Sequence, residues 1–455
     1  MNGQRAGIAD DDAEALRHAG LAHLLAISGL HIGLVCGTVF FFARFGMAFF
    51  AGFALRHPIK KYAAIAALAA GVFYMLIAGA TVPTQRAMIM AGIVFTAIIL
   101  DRSPLSLRLV ALAALVVLVI APYSLLTASF QLSFAAVAGL VAFYDALRPF
   151  LKRIAYDSGI IKRVLLYFFG VSLTSIVAGL ATAPFALYHF QELATYNILA
   201  NLAAIPIMAF WVMPLVVLSY VLMPLGLEAL CLQGAALGVE RVLWVAHSVA
   251  GLDYAVLRLP AISFAAFLLM SAGLIALVLL RGHMRVMICI MAFVVSSIFL
   301  IPKQSDILIS STSRLIGVHD KADHLRVNTL RRERFVSENW ARALGLQKAD
   351  IKLWSRLHPT ECDDKGCHMS LKGKRIAYSQ SPESHALDCA LADIVIAEQP
   401  VFIRCKALKI DKFDTHFRGA HSVFIDGQGG VQIAHTRSAA SEKFPWGMGV
   451  FRAGR

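Results

Sequence analysis

Charged residues are scarce in this chain. Only 15% of its 455 residues are Asp, Glu, Lys or Arg, whereas 58% are hydrophobic. This shortage excludes an ordinary soluble protein, in which about 25% of residues are charged. The C-terminal part is richer, since residues 303–455 hold 24 of the 42 Lys and Arg residues and 17 of the 28 Asp and Glu residues. We therefore predict a polytopic α-helical membrane domain over 1–302 and a small soluble α+β domain over 303–455.

Sequence motifs for nucleotide hydrolysis and for metal catalysis are also missing. The chain has no Gly-x4-Gly-Lys-Ser/Thr loop, which would cradle the phosphates of ATP. Its His and Cys residues do not follow a standard zinc spacing. We therefore predict no cofactor and no metal, and we expect the energy for any transport to come from a partner protein.

Long apolar runs dominate the first 302 residues. A transmembrane helix needs about 20 mostly apolar residues. The eighth of the predicted spans is the weakest, because Glu240 and Arg241 lie in its middle and would also suit an interfacial helix. Segment 47–55 suits a re-entrant or interfacial piece. The ten predicted spans are 24–43, 62–80, 86–100, 108–126, 129–147, 164–187, 198–222, 230–250, 262–280 and 284–301.

Lys and Arg are absent from three of the loops, 122–128, 188–197 and 223–229. The loops that carry them fall on one side of a ten-span chain, and basic loops are typical of the cytoplasmic side. Both termini then lie outside the cytoplasm, which in a Gram-negative cell is the periplasm. If the eighth segment does not cross the membrane, the last basic loop falls on the side opposite to the other basic loops. The basic loops are 56–61, 101–108, 148–163 and 281–285.

Prolines interrupt two of the predicted spans. Pro206 and Pro214 fall inside the stretch around 198–222, and Pro184 is expected to end the helix before it. A proline at membrane depth frees backbone carbonyls, which protein or water must satisfy. The prolines therefore indicate either ordinary kinks or a lined cavity.

The stretch HLLAISGLHIG, residues 23–33, places polar groups in an apolar segment. On one helix His23, Ser28 and His31 would share a broad stripe. Gly29 and Gly33 near it would allow close helix approach. The stripe fits either helix packing or the wall of a polar pathway, because buried polar groups in a membrane need polar partners. The spacing of the two histidines is poor for a metal site.

A second constellation lies in 73–94, FYMLIAGATVPTQRAMIMAGIV. Gly79 marks a turn that brings Arg86 to the start of the next span. Arg86 either extends to the membrane interface or provides a fixed positive charge suited to phosphate.

Two weaker constellations contain amides and a hydroxyl. Gln131 and Ser133 occur in FQLSFAAVAGL, residues 130–140. Asn197 and Asn201 are four residues apart in NILANLAAIPI, so they would lie on one helical face. These groups either form hydrogen bonds across helices or line water, and we include them among the candidate pathway residues.

Four stretches in this order resemble the competence domain of the ComEC family of DNA-internalisation proteins: GLAHLLAISGLHIGLV, IAGATVPTQRAMIM, QLSFAAVAGL and NILANLAAIPIMAFWVMPLVV. The resemblance covers about residues 1–300. It implies a bacterial inner-membrane channel for single-stranded DNA during natural transformation. It also implies partners, namely other competence proteins that include a DNA receptor and a cytoplasmic ATP-driven motor. A homo-oligomer and membrane lipid are further expected partners.

The chain departs from the ComEC family at two places. Family members begin with further helices and a soluble domain, so we expect this chain to be an N-terminally shortened member. Many members end in a metallo-β-lactamase-like domain with a His-x-His-x-Asp-His site, but HDKADH, 319–324, has Lys321 in place of the second histidine. We read 319–324 as a charged turn between strands and 303–455 as a degenerate remnant of that domain. A membrane-bound hydrolase or nuclease, or a decayed non-functional protein, is the alternative.

Four cysteines lie in the C-terminal domain. Because the predicted topology places that domain outside the cytoplasm, disulfides are favoured over zinc ligands and free thiols. The loop between Cys362 and Cys367 lets these two pair, which leaves Cys389 with Cys405.

Strand-like runs and one helical stretch, around 331–345, make up this domain. The runs are DILIS, RIAYS, ADIVIAE, SVFID and GVQIAH. The basic run LRVNTLRRER, 325–334, either contacts DNA or anionic lipid or forms a solvated helix face.

Overall fold

The computed structural model of the chain describes residues 7–25, 29–104, 106–154, 160–300, 302–319, 324–354 and 362–437. They belong to two compact units. The first consists of Met1–Leu257 and Phe264–Ile298, and the second of Arg258–Ser263 and Phe299–Arg455. The second unit thus includes a short segment, Arg258–Ser263, that lies before the last two helices of the first unit.

The described part of the first unit is almost entirely helical. Its helices are α1 (Asp10–His18), α2 (Ala22–Leu25), α3 (Gly29–Ala48), α4 (Ala51–Arg56), α5 (Ile59–Ile77), α6 (Val82–Ile99), α7 (Leu107–Ile120), α8 (Ala128–Ile154), α9 (Ile160–Phe190), α10 (Asn197–Pro206), α11 (Met213–Leu222), α12 (Glu228–Ala250), α13 (Phe264–Leu279) and α14 (Met284–Ile298). Two short strands, β1 (Glu192–Ala194) and β2 (Val256–Arg258), pair with each other.

Among the described residues, seven helical segments are long and apolar enough to cross a membrane. They are Gly29–Ala48, Ile59–Ile77, Val82–Ile99, Ala128–Arg148, Val164–Phe190, Asn197–Leu225 and Glu228–Ala250. Three shorter apolar helices, α7, α13 and α14, lie where three further spans are predicted. Large apolar side chains such as Phe45, Val119 and Ile298 are exposed on these helices. The unit therefore has the architecture of a polytopic helical membrane protein.

Small residues allow the helices of the first unit to pack closely. Its main core joins residues of α1, α3, α5, α6 and α10 to α12. Ala64 and Ala67 of α5 are fully buried in this core, as is Cys36 of α3. Gly71 of α5 lies so close to α3 that a Cβ atom there would be 2.6 Å from the Cys36 Sγ atom. Close approach of this kind is how helices gain packing energy in a membrane.

Two predicted helix ends in the first unit are wrong. The first long helix, α3, continues to Ala48, beyond the predicted end at residue 43. Pro184 does not end its helix, because α9 continues to Phe190; a proline removes only one backbone donor. Pro206 and Pro214 flank a π-helical turn, Ile207–Val212, within one continuous helical stretch. The segment predicted to be interfacial, 47–55, ends in the separate short helix α4.

The described part of the second unit contains ten strands and three helices. The strands are β3 (Ile307–Ile309), β4 (Ile316–His319), β5 (Leu325–Val327), β6 (Ile351–Leu353), β7 (Gly366–Leu371), β8 (Lys374–Ser379), β9 (Ile394–Ala397), β10 (Leu408–Ile410), β11 (His421–Ile425) and β12 (Val431–His435). The helices are α15 (Arg334–Ala343), α16 (His385–Leu391) and α17 (Lys412–Arg418).

These strands form two sheets that pack face to face. One has six strands in the order β12-β11-β3-β4-β5-β6, and the other has four in the order β10-β9-β8-β7. Ile309 and Val318 of the larger sheet share a core with Ile376 and Ile394 of the smaller one. On the outer faces, α15 packs against the larger sheet and α16 against the smaller one. The layer order is helix, sheet, sheet, helix, within the predicted α+β class.

The strand-like runs of the sequence correspond to β3, β8, β9, β11 and β12. Strands β4, β5, β6, β7 and β10 were missed. Unlike the recognised runs, they do not stand out as apolar stretches bounded by turn residues. The basic run 325–334 is not a helix face, because it begins as β5 and only Arg334 is helical. The string 319–324 lies between β4 and β5, as predicted, although 320–323 fall outside the described residues.

Candidate functional site

Arg86 is buried inside the helical unit. It lies on the second turn of α6, and only 7% of its surface is exposed. Its Nη2 atom donates to the hydroxyl of Ser129 at 2.9 Å and to that of Ser133 at 3.2 Å, both on α8. Two of the four sequence constellations therefore meet at this guanidinium. Ser129 was missed, although its position four residues before Ser133 places it on the same helical face.

The charge of Arg86 is not neutralised by an ion pair among the described residues. Hydroxyl groups are dipoles, so they compensate a buried charge only in part. Both recorded hydrogen bonds use Nη2, and a guanidinium has five N–H donors. Among the described residues, the site is therefore a positive charge with donors that have no partner, held between α6 and α8.

The turn before α6 sets the position of Arg86. Gly79 has φ +79° and Ala80 has φ +44°, a left-handed pair that reverses the chain between α5 and α6. Thr81 precedes α6, and its carbonyl oxygen accepts the hydroxyl of Thr84 at 2.7 Å. Gly79 thus fulfils the turn role that the sequence predicts.

His31 is buried at the start of α3, with 6% of its surface exposed. His23 lies on α2, and Ser28 falls outside the described residues, as do residues 26 and 27 between α2 and α3. The stripe of His23, Ser28 and His31 therefore stays a prediction.

The two motif glycines of α3 differ in their surroundings. A Cβ atom at Gly29 would lie 3.9 Å from the Cβ of Ala87, the neighbour of Arg86. This contact places the beginning of α3 beside the Arg86 turn of α6. Gly33 is exposed, and a Cβ atom there would meet no described atom within 4 Å. Its role in close helix packing stays a prediction, and Gly71 on α5 provides such an approach.

Gln131 faces a different helix from Ser133. Its Oε1 atom lies 2.7 Å from Nε2 of His189 on α9, and its Nε2 donates to the carbonyl oxygen of Leu125 at 3.0 Å. His189 is a further polar residue that the sequence analysis missed. It lies near the end of a long apolar run, where a single histidine gives no periodic signal.

Asn197 and Asn201 lie on α10, as the sequence predicts. A Cβ atom at Gly20 would be 2.6 Å from the Cβ of Asn197, so the chain before α2 approaches α10 closely there. Asn201 is 9% exposed, and its Oδ1 has no hydrogen-bond partner among the described residues. The Tyr74 hydroxyl on α5 is likewise buried without a described partner. Such groups need a polar partner, such as water or a ligand.

A small apolar crevice lies between α6, α7 and α8. Met90, Ile93, Ala113 and Phe134 are among its lining residues. Apolar walls do not suit a charged strand, so we do not assign this crevice to a DNA pathway.

The described part of the second unit contains two disulfides. Cys362 is bonded to Cys367, with Cα atoms 4.0 Å apart, and Cys389 to Cys405, with Cα atoms 4.9 Å apart. This is the pairing that the sequence analysis favoured. The cysteines of the first unit, Cys36, Cys231 and Cys289, are free thiols.

Comparison with known proteins identifies the family. Residues 1–284 match the competence protein family. The chain is 28% identical over 225 residues to ComE operon protein 3 of Bacillus subtilis, which covers 49% of this chain and 26% of that protein. It is 29% identical over 228 residues to Recombination protein 2 of Haemophilus influenzae, covering 48% and 27%.

A third relative is the uncharacterized protein YcaI of Escherichia coli, 27% identical over 230 residues, covering 48% of this chain and 28% of YcaI. The matched region thus spans about a quarter of the length of each curated relative. No solved structure gives a significant match. The family match covers more than half of the chain, together with Arg86, His31 and both polar faces of α8, so this chain belongs to the competence protein family.

Proposed function

We propose that this chain forms part of a bacterial inner-membrane channel that takes up single-stranded DNA during natural transformation. The observation that carries the proposal is Arg86, a buried cation bonded to two hydroxyls with no ion-pair partner among the described residues. Membership of the competence protein family supports a role in DNA uptake.

A buried charge inside a membrane is costly and usually marks a pathway for a charged substrate. Single-stranded DNA carries one negative charge for each nucleotide, and guanidinium groups bind phosphate oxygens in a bidentate manner. The Ser129 and Ser133 hydroxyls hold one edge of Arg86. A passing phosphate would be bound by the remaining donors and replaced by the next one along the strand.

Neutral polar groups complete the proposed pathway. His31, Asn201 and the Gln131–His189 pair offer hydrogen bonds without a fixed negative charge. Neutral donors bind phosphates weakly enough to release them, which conduction requires. In this proposal His23, Ser28, Ser133 and Asn197 also face the pathway.

We further propose a ten-span topology with the second unit outside the cytoplasm. The seven long and three shorter apolar helices supply ten candidate spans. Disulfides persist in oxidising compartments and are rare in the cytosol, so the two in the second unit support this orientation. Reporter fusions at Lys60, Arg153 and Arg285 should then report the cytoplasm, and fusions after residue 303 the outside.

Transport, rather than hydrolysis, is the function that we propose for this chain. The alternative nuclease would depend on the region around 319–324, where Lys321 stands in place of a metal ligand. A DNA receptor and an ATP-driven motor would be separate proteins, and the chain would act with them, with further copies or with a second segment of a larger protein.

The test is DNA uptake in a strain that lacks its own copy of this protein. The strain is complemented with this chain, alone and together with any upstream segment encoded nearby. Arg86→Gln is expected to lower entry of labelled single-stranded DNA by about 10- to 100-fold, since hydrogen bonds to a charged group contribute roughly 1.5–3 kcal/mol each. Arg44→Gln is the matched control, because Arg44 is exposed on α3.

Uptake is scored against the amount of protein in the membrane. Equal uptake by the Arg86→Gln variant and the wild type would remove the main support for the proposal. A second test uses a double variant, Ser28→Ala with His31→Leu. Normal DNA uptake by this variant would mean that the HLLAISGLHIG motif has a packing role only.

A further inference from the structure

One surface of the second unit combines exposed aromatic and aliphatic side chains. Phe402 is 85% exposed, Phe417 is 65% exposed and Phe413 is 49% exposed. Ile403, next to Phe402 in the chain, adds an exposed aliphatic group. Large apolar side chains that cluster on a surface usually mark an interaction site. We call the surface formed by Phe402, Ile403, Phe413 and Phe417 the aromatic face.

The aromatic face is held in a fixed geometry. The rings of Phe402 and Phe413 pack edge to face, with centroids 6.1 Å apart. Asp411, which is fully buried, accepts the backbone N–H groups of Val401, Phe413 and Asp414 and so ties the two segments together. On α17, Phe413 and Phe417 lie four residues apart and therefore share one side.

The inward-facing side chains of segment 401–418 belong to the core of the second unit. Val401 is buried, and Cys405 is bonded to Cys389 of α16. The segment therefore has inward residues that anchor it, Val401 and Cys405, and between them outward residues such as Phe402 and Ile403. Because the anchoring is so complete, the outward apolar groups are a stable feature of the folded unit.

Basic residues surround the aromatic face. Residues 401–418 contain five Lys and Arg and two Asp. Asp411 is buried and paired with Lys409 at 2.9 Å, so it contributes little negative charge to the surface. Arg404, Lys406 and Lys412 are exposed. Apolar groups bordered by cations are the pattern of surfaces that bind anionic bilayers.

We propose that the aromatic face docks the second unit onto the surface of an anionic lipid bilayer. The unit follows α14 directly in the chain, and this covalent connection gives the face a high effective concentration at a membrane. Aliphatic Ile403 favours lipid over single-stranded DNA, because bases stack on aromatic rings and not on aliphatic groups. The proposal does not depend on DNA passage.

Phe335 provides a matched control within the same unit. It is 73% exposed and is flanked by the exposed residues Arg332 and Arg334, but it lies on α15 rather than in segment 401–418. An aromatic residue among cations is therefore present at both sites, and only the aromatic face adds the aliphatic Ile403 and the second ring.

The experiment uses the full chain in liposomes, with the photo-crosslinking residue p-benzoylphenylalanine placed at position 402, 417 or 335. Lipid adducts are counted by mass spectrometry in vesicles of phosphatidylcholine with and without phosphatidylglycerol. We expect adducts at 402 and 417 at least fivefold above those at 335, and more of them with the anionic lipid. Arg404→Gln and Lys406→Gln should each lower adduct formation about fivefold, as expected for one basic residue near an anionic surface.

Three results would overturn the proposal. Lipid adducts at 335 equal to those at 402 would mean that the aromatic face has no preference for the bilayer. Crosslinks from 402 to added single-stranded DNA, in place of lipid, would identify a nucleic-acid surface. Crosslinks from 402 to a second copy of the chain would identify an oligomer interface.

Discussion

Buried charged side chains have different partners in the two units. In the helical unit, buried Arg86 contacts two hydroxyls and has no ion-pair partner among the described residues. In the second unit, buried Asp411 is paired with Lys409 and accepts several backbone N–H groups. A charge satisfied within the fold contributes to stability. A charge left with spare donors is available to an outside partner, and we take Arg86 to be of this kind.

The same contrast applies to cysteine. The second unit has two disulfides, whereas the thiols of Cys36 and Cys231 are buried in the helical unit and free. A membrane unit gains its order from close helix packing, while a small unit of short strands gains from covalent closure. The two units should therefore lose stability through different changes. In the helical unit these are changes at close helix contacts, and in the second unit the loss of a disulfide.

The largest effect on stability should come from Asp411. Asp411→Ala removes the ion pair with Lys409 and the cap of α17, and it leaves the Val401 N–H without its acceptor. We expect the free energy of unfolding of the second unit to fall by about 3 kcal/mol, because one helix cap and the charged contacts of Asp411 are lost. Hydrogen exchange of β9, β10 and α17 in the purified chain measures it. Asp414→Ala is the control, since it removes only the reciprocal half of the capping box, and a loss equal to that of Asp411→Ala would refute this account.

The contribution of Asp411 should also depend on pH. Burial alone would raise its pKa, but Lys409 and the backbone donors outweigh burial and hold the pKa of this carboxyl below its usual value. A carboxyl with a lowered folded-state pKa stabilises the fold above its unfolded pKa, and this stability is lost as the pH falls through the folded value. The difference in free energy of unfolding between the wild type and Asp411→Ala should therefore be constant near neutral pH and shrink below about pH 4. A difference that is the same at pH 3 and pH 7 would contradict the assignment.

The disulfide between Cys389 and Cys405 should have the next largest effect. It closes a loop with a sequence separation of 16. The lowered entropy of the unfolded chain then stabilises the fold by about 3 kcal/mol, before any strain in the folded state is considered. The Cys362–Cys367 bond closes a separation of only five and should contribute less. Paired serine variants, compared by hydrogen exchange of the smaller sheet, test this order. Exchange in α3 and α5 should not change, and a change there would show that the effect is not local.

A smaller effect is expected at Gly71 of the helical unit. Gly71→Ala would place a Cβ atom 2.6 Å from the Cys36 Sγ atom and 3.0 Å from the Met88 Sδ atom. Both sulfurs are at or near the ends of side chains and can shift, so we expect about 1–2 kcal/mol of overpacking cost. Gly33→Ala is the control and should be nearly neutral, because it meets no described atom within 4 Å. Thermal unfolding in detergent would measure both, and equal melting temperatures for the two variants would refute the packing role of Gly71.

The sequence predicts the chemistry of the two units better than their contacts. Low charge and ten apolar runs predict a membrane unit, and the described helices lie where those runs occur. The sequence marks Arg86 and Ser133 separately, but periodicity along one helix cannot show that α6 and α8 bring them together. Ser129 and His189 were missed for the same reason. The exposed position of Gly33 also depends on how neighbouring helices pack, which a single sequence does not encode locally.

In the second unit, the sequence predicts the strands whose apolar runs are bounded by turn residues. The runs at β8 and β9 are of this kind, so they were recognised. Strand β5, Leu325–Val327, lies in the basic run 325–334, for which a solvated helix face was one of the alternatives. Its neighbours β4 and β6 stabilise it as a strand, which makes its structure a consequence of the tertiary fold.

The most direct test of the central claim compares two strands that differ only in charge. The chain, wild type or Arg86→Gln, is reconstituted in liposomes, and the entry of labelled phosphodiester DNA is compared with that of an uncharged methylphosphonate analogue of the same sequence. If Arg86 acts on phosphate, Arg86→Gln lowers entry of the phosphodiester strand by about 10-fold or more, the value of one charge-assisted contact, and leaves entry of the analogue nearly unchanged. An equal loss for both strands, or no loss for either, would show that Arg86 is a structural residue and would contradict the account.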